Sequence, residues 1–166
     1  MTGVQTCALP ILAIDSENTI YLTGGTKGLL DSDGVYSGEK DFFLMSIDFQ
    51  GNQNWVKQIG TSSDDIGISL GIDFQNNIYV VGNTFGDFNS NLSYGNGDFF
   101  IMKLDKTGNI IWDFLKGSLL EDQVKSVNVS VKGLIYFGGF IKGNYDNYSI
   151  IGDSDIFINC LNPYGK

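Results

Sequence analysis

Side-by-side acidic residues are the groups in this chain best placed to do chemistry. Asp64 with Asp65 and Glu121 with Asp122 form two such couples, and paired carboxyl groups roughly 5 to 10 Å apart across a cleft can hydrolyse a glycosidic bond. On extended backbone, however, neighbouring side chains point to opposite sides. Neither couple is an acid/base pair by itself. Calcium is the second use of acidic residues: Asp31, Asp33 and Gly34 spell D-x-D-G, with Glu39 following, but Val35 stands where the next alternate ligand is needed. Asp153 and Asp155 form a D-x-D further on, whereas Asn96 and Asp98 hold the corresponding places earlier, so no metal is expected. Trp55 and Trp112 could stack on a sugar face or fill space between packed sheets, and the second reading explains why one Trp recurs at a fixed strand position. The chain has no His, which removes His-assisted Ser and Cys nucleophiles and the common zinc sites. No catalytic residue and no cofactor are expected, and Cys160, on an apolar strand, is expected to be a buried, inert thiol.

The 166 residues carry 10 Lys+Arg against 19 Asp+Glu, a net charge of -9, which repels phosphate backbones and anionic membranes alike. Nucleic-acid partners are therefore not expected. No apolar run approaches the ~20 residues of a helical membrane span, so membrane insertion is not expected either. Gly contributes 22 residues and Pro only 2, a composition that suits a turn-rich, folded β protein rather than disorder.

The elements that position these residues repeat. IYLTG at 20–24 returns as IYVVG at 78–82 and IYFGG at 135–139; DFFLMSID from Asp41 returns from Asp98 and Asp155 with a period of 57; and GNQNWVKQIG from Gly51 returns from Gly108. Asp65 then corresponds to Asp122, and Trp55 to Trp112. Each period predicts four strands, at 66–73, 78–82, 98–105 and 110–116 in the middle copy, joined by two short Asx/Gly turns and two longer links at 83–97 and 117–123. In an up-and-down sheet the two short turns lie at one end and all long links at the other. The third strand of each copy is apolar at consecutive positions, Phe42 to Met45 and Phe99 to Met102, so both its faces are buried. Repeated four-stranded sheets covered on both faces are the blades of a β-propeller. The fold class expected is all-β: about 2.7 antiparallel four-stranded blades, at 12–60, 61–117 and 118–166.

Asp73, Asn76, Ile78 to Gly82, Gly97 to Asp105, Gly108, Trp112 and Gly117 together resemble the bacterial SBBP repeat, a β-propeller repeat family, over residues 11–166. Ser130 departs from its turn Asp, and Asn159, Cys160 and Asn162 depart from its K-x-L-D ending; delta-60 repeats match less well. The resemblance implies a secreted or cell-surface bacterial protein without assigned catalytic residues. Residues 1–11, MTGVQTCALPI, resemble a translated sequencing adapter and are expected to carry no fold. Gly165 would open a further copy of the Gly51 segment, so more blades of a parent protein are expected, and the end sheets are expected to leave apolar faces open at positions such as Phe42 and Phe157.

The functional expectation is a non-catalytic scaffold, binding or display module, the alternative being part of a propeller-type carbohydrate-active enzyme whose catalytic residues lie in other blades. The long links are rich in Asn, Asp, Ser, Gly and Tyr, which make adaptable polar contacts. Asp87, Asn89 and Tyr94 are the candidate ligand-binding residues, with a glycan or a surface protein as the partner. The recurring Asp41, Asp98 and Asp155, and likewise Asp65 and Asp122, are expected to bind loop N–H groups rather than a ligand.

Overall fold

The computed structural model describes residues 11–30, 36–145 and 149–166. The Asp31–Asp33–Gly34 stretch, with Val35, and all but the last residue of the 1–11 segment lie outside them. Eleven strands form three antiparallel sheets, each strand paired with its neighbour in sequence. The first sheet holds β1 (Ile11–Ile14), β2 (Ile20–Thr26), β3 (Asp41–Ile47) and β4 (Gln53–Ile59). The second holds β5 (Asp65–Ile72), β6 (Ile78–Thr84), β7 (Asp98–Leu104) and β8 (Ile110–Lys116). The third holds β9 (Gln123–Val129), β10 (Ile135–Ile141) and β11 (Asp155–Leu161). There is no helix among the described residues, and so none long and apolar enough to cross a membrane. This is the expected all-β arrangement of propeller blades. Ile11 pairs with Thr23, so the first sheet begins one residue before the expected boundary.

Five hairpin turns, opened by Asp15, Asp48, Asp73, Asp105 and Ser130, and the turn that follows β11, opened by Asn162, share one design. In the Asp105 turn the N–H of Gly108 donates to the Asp105 carbonyl at 3.0 Å, and the carboxylate accepts the N–H groups of Thr107 and Asn109 at 2.9 and 3.0 Å. The fourth residue of every turn has positive φ, from 62° at Asn76 to 90° at Gly51, which explains why only Gly or Asn stands there. Ser130 keeps the turn with one side-chain bond, from the N–H of Leu134 at 3.0 Å, so its departure from the repeat pattern changes no geometry.

The second sheet is buried on both faces by side-chain alternation. Ile78, Val80, Phe100, Met102 and Leu104 pack on Tyr21, Phe42 and Leu44 of the first sheet. Tyr79, Val81, Phe99 and Ile101 pack on Val127, Ile135, Phe137 and Phe157 of the third. The Tyr21 and Tyr79 hydroxyls, buried with their rings, each donate to the Asp that opens the preceding turn, Asp15 and Asp73, at 3.1 Å. Each Trp ties neighbouring sheets together: the Trp55 indole donates to the Lys106 carbonyl at 3.1 Å and Trp112 to Pro163 at 3.2 Å.

Phe42 and Phe157 are buried, against expectation, because both face the second sheet. Whereas Asp41 and Phe43 beside Phe42 are buried as well, the open positions beside Phe157 are its sequence neighbours of opposite direction, Ile156 and Ile158. Cys160 shares that face and is exposed, so the buried thiol expected from its apolar strand is corrected by the same alternation.

Candidate functional site

The antiparallel connectivity puts residues 27–30, 36–40, 85–97, 142–145 and 149–154 at the end of the sheets opposite the six tight turns, together with the links 60–64 and 117–122 that lead to the next sheet. Side chains and backbone at this end interlock. Gly86 lies against Thr61, and Gly95 and Gly143 lie against Ser118. Short parallel bridges join Lys40 to Asp64 and Gly97 to Glu121, each followed by a backbone bond of 2.8 Å, from Asp65 N–H to Lys40 and from Asp122 N–H to Gly97. Lys40 pairs with Asp64 at 3.0 Å and Lys142 with Glu121 at 2.9 Å.

Under this end sit the recurring carboxylates, and they hold loop backbone as expected. Asp41 accepts the N–H of Ser37 and the Gln58 amide at 2.8 Å; Asp98 accepts the N–H of Tyr94 at 2.7 Å; Asp155 accepts the N–H of Ile151 at 2.8 Å. Asp65 accepts the N–H of Thr61 at 2.6 Å and the Thr84 hydroxyl, while Asp122 accepts the N–H groups of Lys142, at 2.8 Å, and Ser118. Asp65 lies close enough to Asp41, and Asp98 to Asp122, for mutual repulsion. Asp98 Oδ1 is buried without a hydrogen-bond partner among the described residues. Burial, then, pushes the carboxyls of Asp65 and Asp98 above their ordinary value of 3.8, with the repulsion adding to it.

This has a sign opposite to ordinary acid denaturation. Because folding raises these two carboxyls, the folded chain binds more protons between 3.8 and the raised value, so their contribution to stability falls as pH rises through that window. Asp48 and Asp105, held low by their own turns, the latter at about 2, contribute stability above 3.8 that is lost as pH falls toward the folded value. Asp98→Asn is expected to gain stability relative to the parent chain near pH 7, the gain shrinking as pH approaches 4. Urea midpoints across that range measure it, and an offset independent of pH refutes it.

Of the three candidate binding residues, the structure places one at a cleft. Asp87 is exposed and accepts the N–H of Ser93 at 2.8 Å, closing a subloop in which Asn89 and Ser90 have φ of 49° and 68°. Phe88, between them, is fully buried and stacked on Phe100 at 4.2 Å. It is the plug that anchors the loop, and the sequence reading passed over it because it stands among polar residues. Tyr94, half exposed at 50%, lines a cleft between the second and third sheets with Lys116, Ser118, Leu119, Asn144 and Tyr145. On its other side Tyr94 continues into a groove along Phe114, Tyr145 and Asn159. Asp87 and Asn89 line neither. The cleft can offer aromatic faces, amide groups and one ammonium to a polar ligand, an arrangement suited to binding.

Comparison with known proteins bears on the same architecture. Residues 54–89 match the family model described as the SBBP β-propeller repeat. An alignment 116 positions long, covering 64% of this chain and 12% of the relative, is 25% identical to the regulatory protein FlaEY of Caulobacter vibrioides.

Proposed function

We propose that this chain is a non-catalytic β-propeller repeat module of a larger secreted or cell-surface bacterial protein, acting as a scaffold that presents the long-loop end to an extended polar ligand, a glycan first of all. The observation that carries the reading is the convergence of Tyr94, Lys116, Asn144 and Tyr145, drawn from two neighbouring sheets, on one open cleft. Tyr rings supply amphipathic contact area at low entropic cost, and Asn and Lys supply adaptable polar bonds. The match of residues 54–89 to a propeller repeat supports the scaffold. The matched stretch is a small part of the much longer relative, which supports a module reading.

In a glycan array probed with the protein, Tyr94→Ala combined with Asn144→Ala is expected to weaken binding about tenfold or more, equivalent to about 1.4 kcal/mol. Asp87→Ala with Asn89→Ala, outside the cleft, is expected to change binding less than twofold. Gln75→Ala at the tight-turn end serves as the control. Retained glycan binding in the Tyr94/Asn144 variant refutes the cleft. Capture of a surface protein without any glycan signal replaces the ligand class.

A further inference from the structure

The joint between the second and third sheets repeats the joint between the first and second, and the difference between them isolates what the cleft has gained. Along β8, Trp112, Phe114 and Lys116 fall on one face by strand alternation. Trp112 and Phe114 pack there against the third sheet, and Lys116, at the loop end of the same row, lines the cleft. Its counterpart in the first sheet is Ile59, which packs into the apolar joint between the first and second sheets. Asn144 stands where Asp87 does, and Tyr94 where Ser37 does. From one joint to the next a cation is gained, an anion is lost and an aromatic ring is added, in a chain of net charge -9.

No carboxylate answers Lys116. The ion pairs among the described residues are Lys40 with Asp64, Lys106 with Glu17 and Lys142 with Glu121, and no acidic residue is among the described residues that line the cleft. Asp98 and Asp122 lie buried beneath the loops, where they hold the N–H groups of Tyr94, Ser118 and Lys142. A partly buried ammonium that lines a cleft without a counter-charge is a site for an anion. Resting on the reading of this cleft as a glycan site, we propose that the sugar it takes is a uronic acid, whose carboxylate meets the Lys116 ammonium while its ring stacks on Tyr94. The carboxylate of a uronic acid is fixed directly on the sugar ring, so the residue that stacks also presents its charge to the neighbouring cation. Asn144 can donate to and accept from the ring hydroxyls. One ammonium matches one charge per sugar, whereas a sugar carrying several charges would meet the repulsion of the acidic chain.

Titration calorimetry on the full chain with tetramers of galacturonate, mannuronate and hyaluronan, each against its methyl ester, tests this. At least one uronate tetramer is expected to bind tenfold or more tighter than its ester. Lys116→Gln is expected to reduce that preference below twofold, and Lys116→Arg to restore it. Lys132→Gln, which removes the same charge at the tight-turn end, is expected to keep it. A parent chain that binds ester and uronate alike, with both lost in the Tyr94→Ala/Asn144→Ala variant, overturns the carboxylate and leaves the cleft standing. Preference for a sulfated tetramer without uronate overturns the carboxylate likewise, and a uronate preference that survives Lys116→Gln overturns the role of Lys116. Binding that the Tyr94→Ala/Asn144→Ala variant leaves unaltered, or no binding of any tetramer, overturns the cleft and this inference together.

Discussion

Gly117→Ala is expected to cost about 3 kcal/mol or more, the upper end of overpacking effects, although the residue is a single small one in a link between sheets. A Cβ there would lie 1.9 Å from Asp98 Oδ1 and 3.2 Å from Asp122 Oδ2. Neither carboxylate can give way, because Asp98 holds the N–H of Tyr94 and Asp122 holds Ser118 and Lys142. Gly60 stands in the same relation to Asp41, at 2.0 Å, so Gly60→Ala should behave alike. The recurring Gly and the recurring Asp are thus two sides of one contact, the bare Cα letting a buried carboxylate reach loop N–H groups. Urea unfolding of Gly117→Ala, Asp98→Gly and the double variant tests this. The double variant is expected to be less destabilised than the sum of the two single ones, and strict additivity would show that the clash is not with Asp98.

Phe100→Ala is expected to lose about 3–5 kcal/mol, as large-to-small changes of buried aromatic residues do. Phe100 stacks on Phe88 at 4.2 Å and meets Phe42 edge-on at 5.1 Å. Its ring also occupies the space that Gly82 leaves, since a Cβ at Gly82 would lie 2.2 Å from the Phe100 ring. Truncation therefore opens the joint between the first two sheets and removes the seat of the plug under residues 85–97. The loss should be visible twice: as a lower urea midpoint and as faster amide exchange at Phe88 and Asn91 than at Ile135, on the far side of the second sheet. Uniform acceleration of exchange, with no excess in the loop, would show that Phe88 does not depend on Phe100.

Much of this molecule was legible in its residues because a repeat reports on itself. A turn needs a side-chain oxygen at the first place, supplied by Asp or Asn in five turns and by Ser130 in the sixth, and a positive φ at the fourth, which only Gly or Asn meets here. Consecutive apolar positions such as Phe99 to Met102 can be satisfied only by a strand covered on both sides, so the stacking of sheets followed from the pattern. The ends of the stack were harder. Alternation determines that Phe157 and Ile158 point opposite ways, but which of them is covered depends on which side the neighbouring sheet lies, and that is a matter of three-dimensional order.

The candidate site divides along the same line. Local chemistry, acting within a few residues, determined that the recurring Asp side chains would hold loop N–H groups, and that the long links would share one end. Only the tertiary structure decided that Tyr94 lines one cleft with Lys116, Asn144 and Tyr145 while Asp87 and Asn89 do not. It also decided that Phe88 is a buried plug and Cys160 an exposed thiol. The physical reason is that backbone hydrogen bonds and turn conformations are settled by near neighbours in the chain, whereas burial is settled by which surfaces come together, and those belong to residues many tens of positions apart.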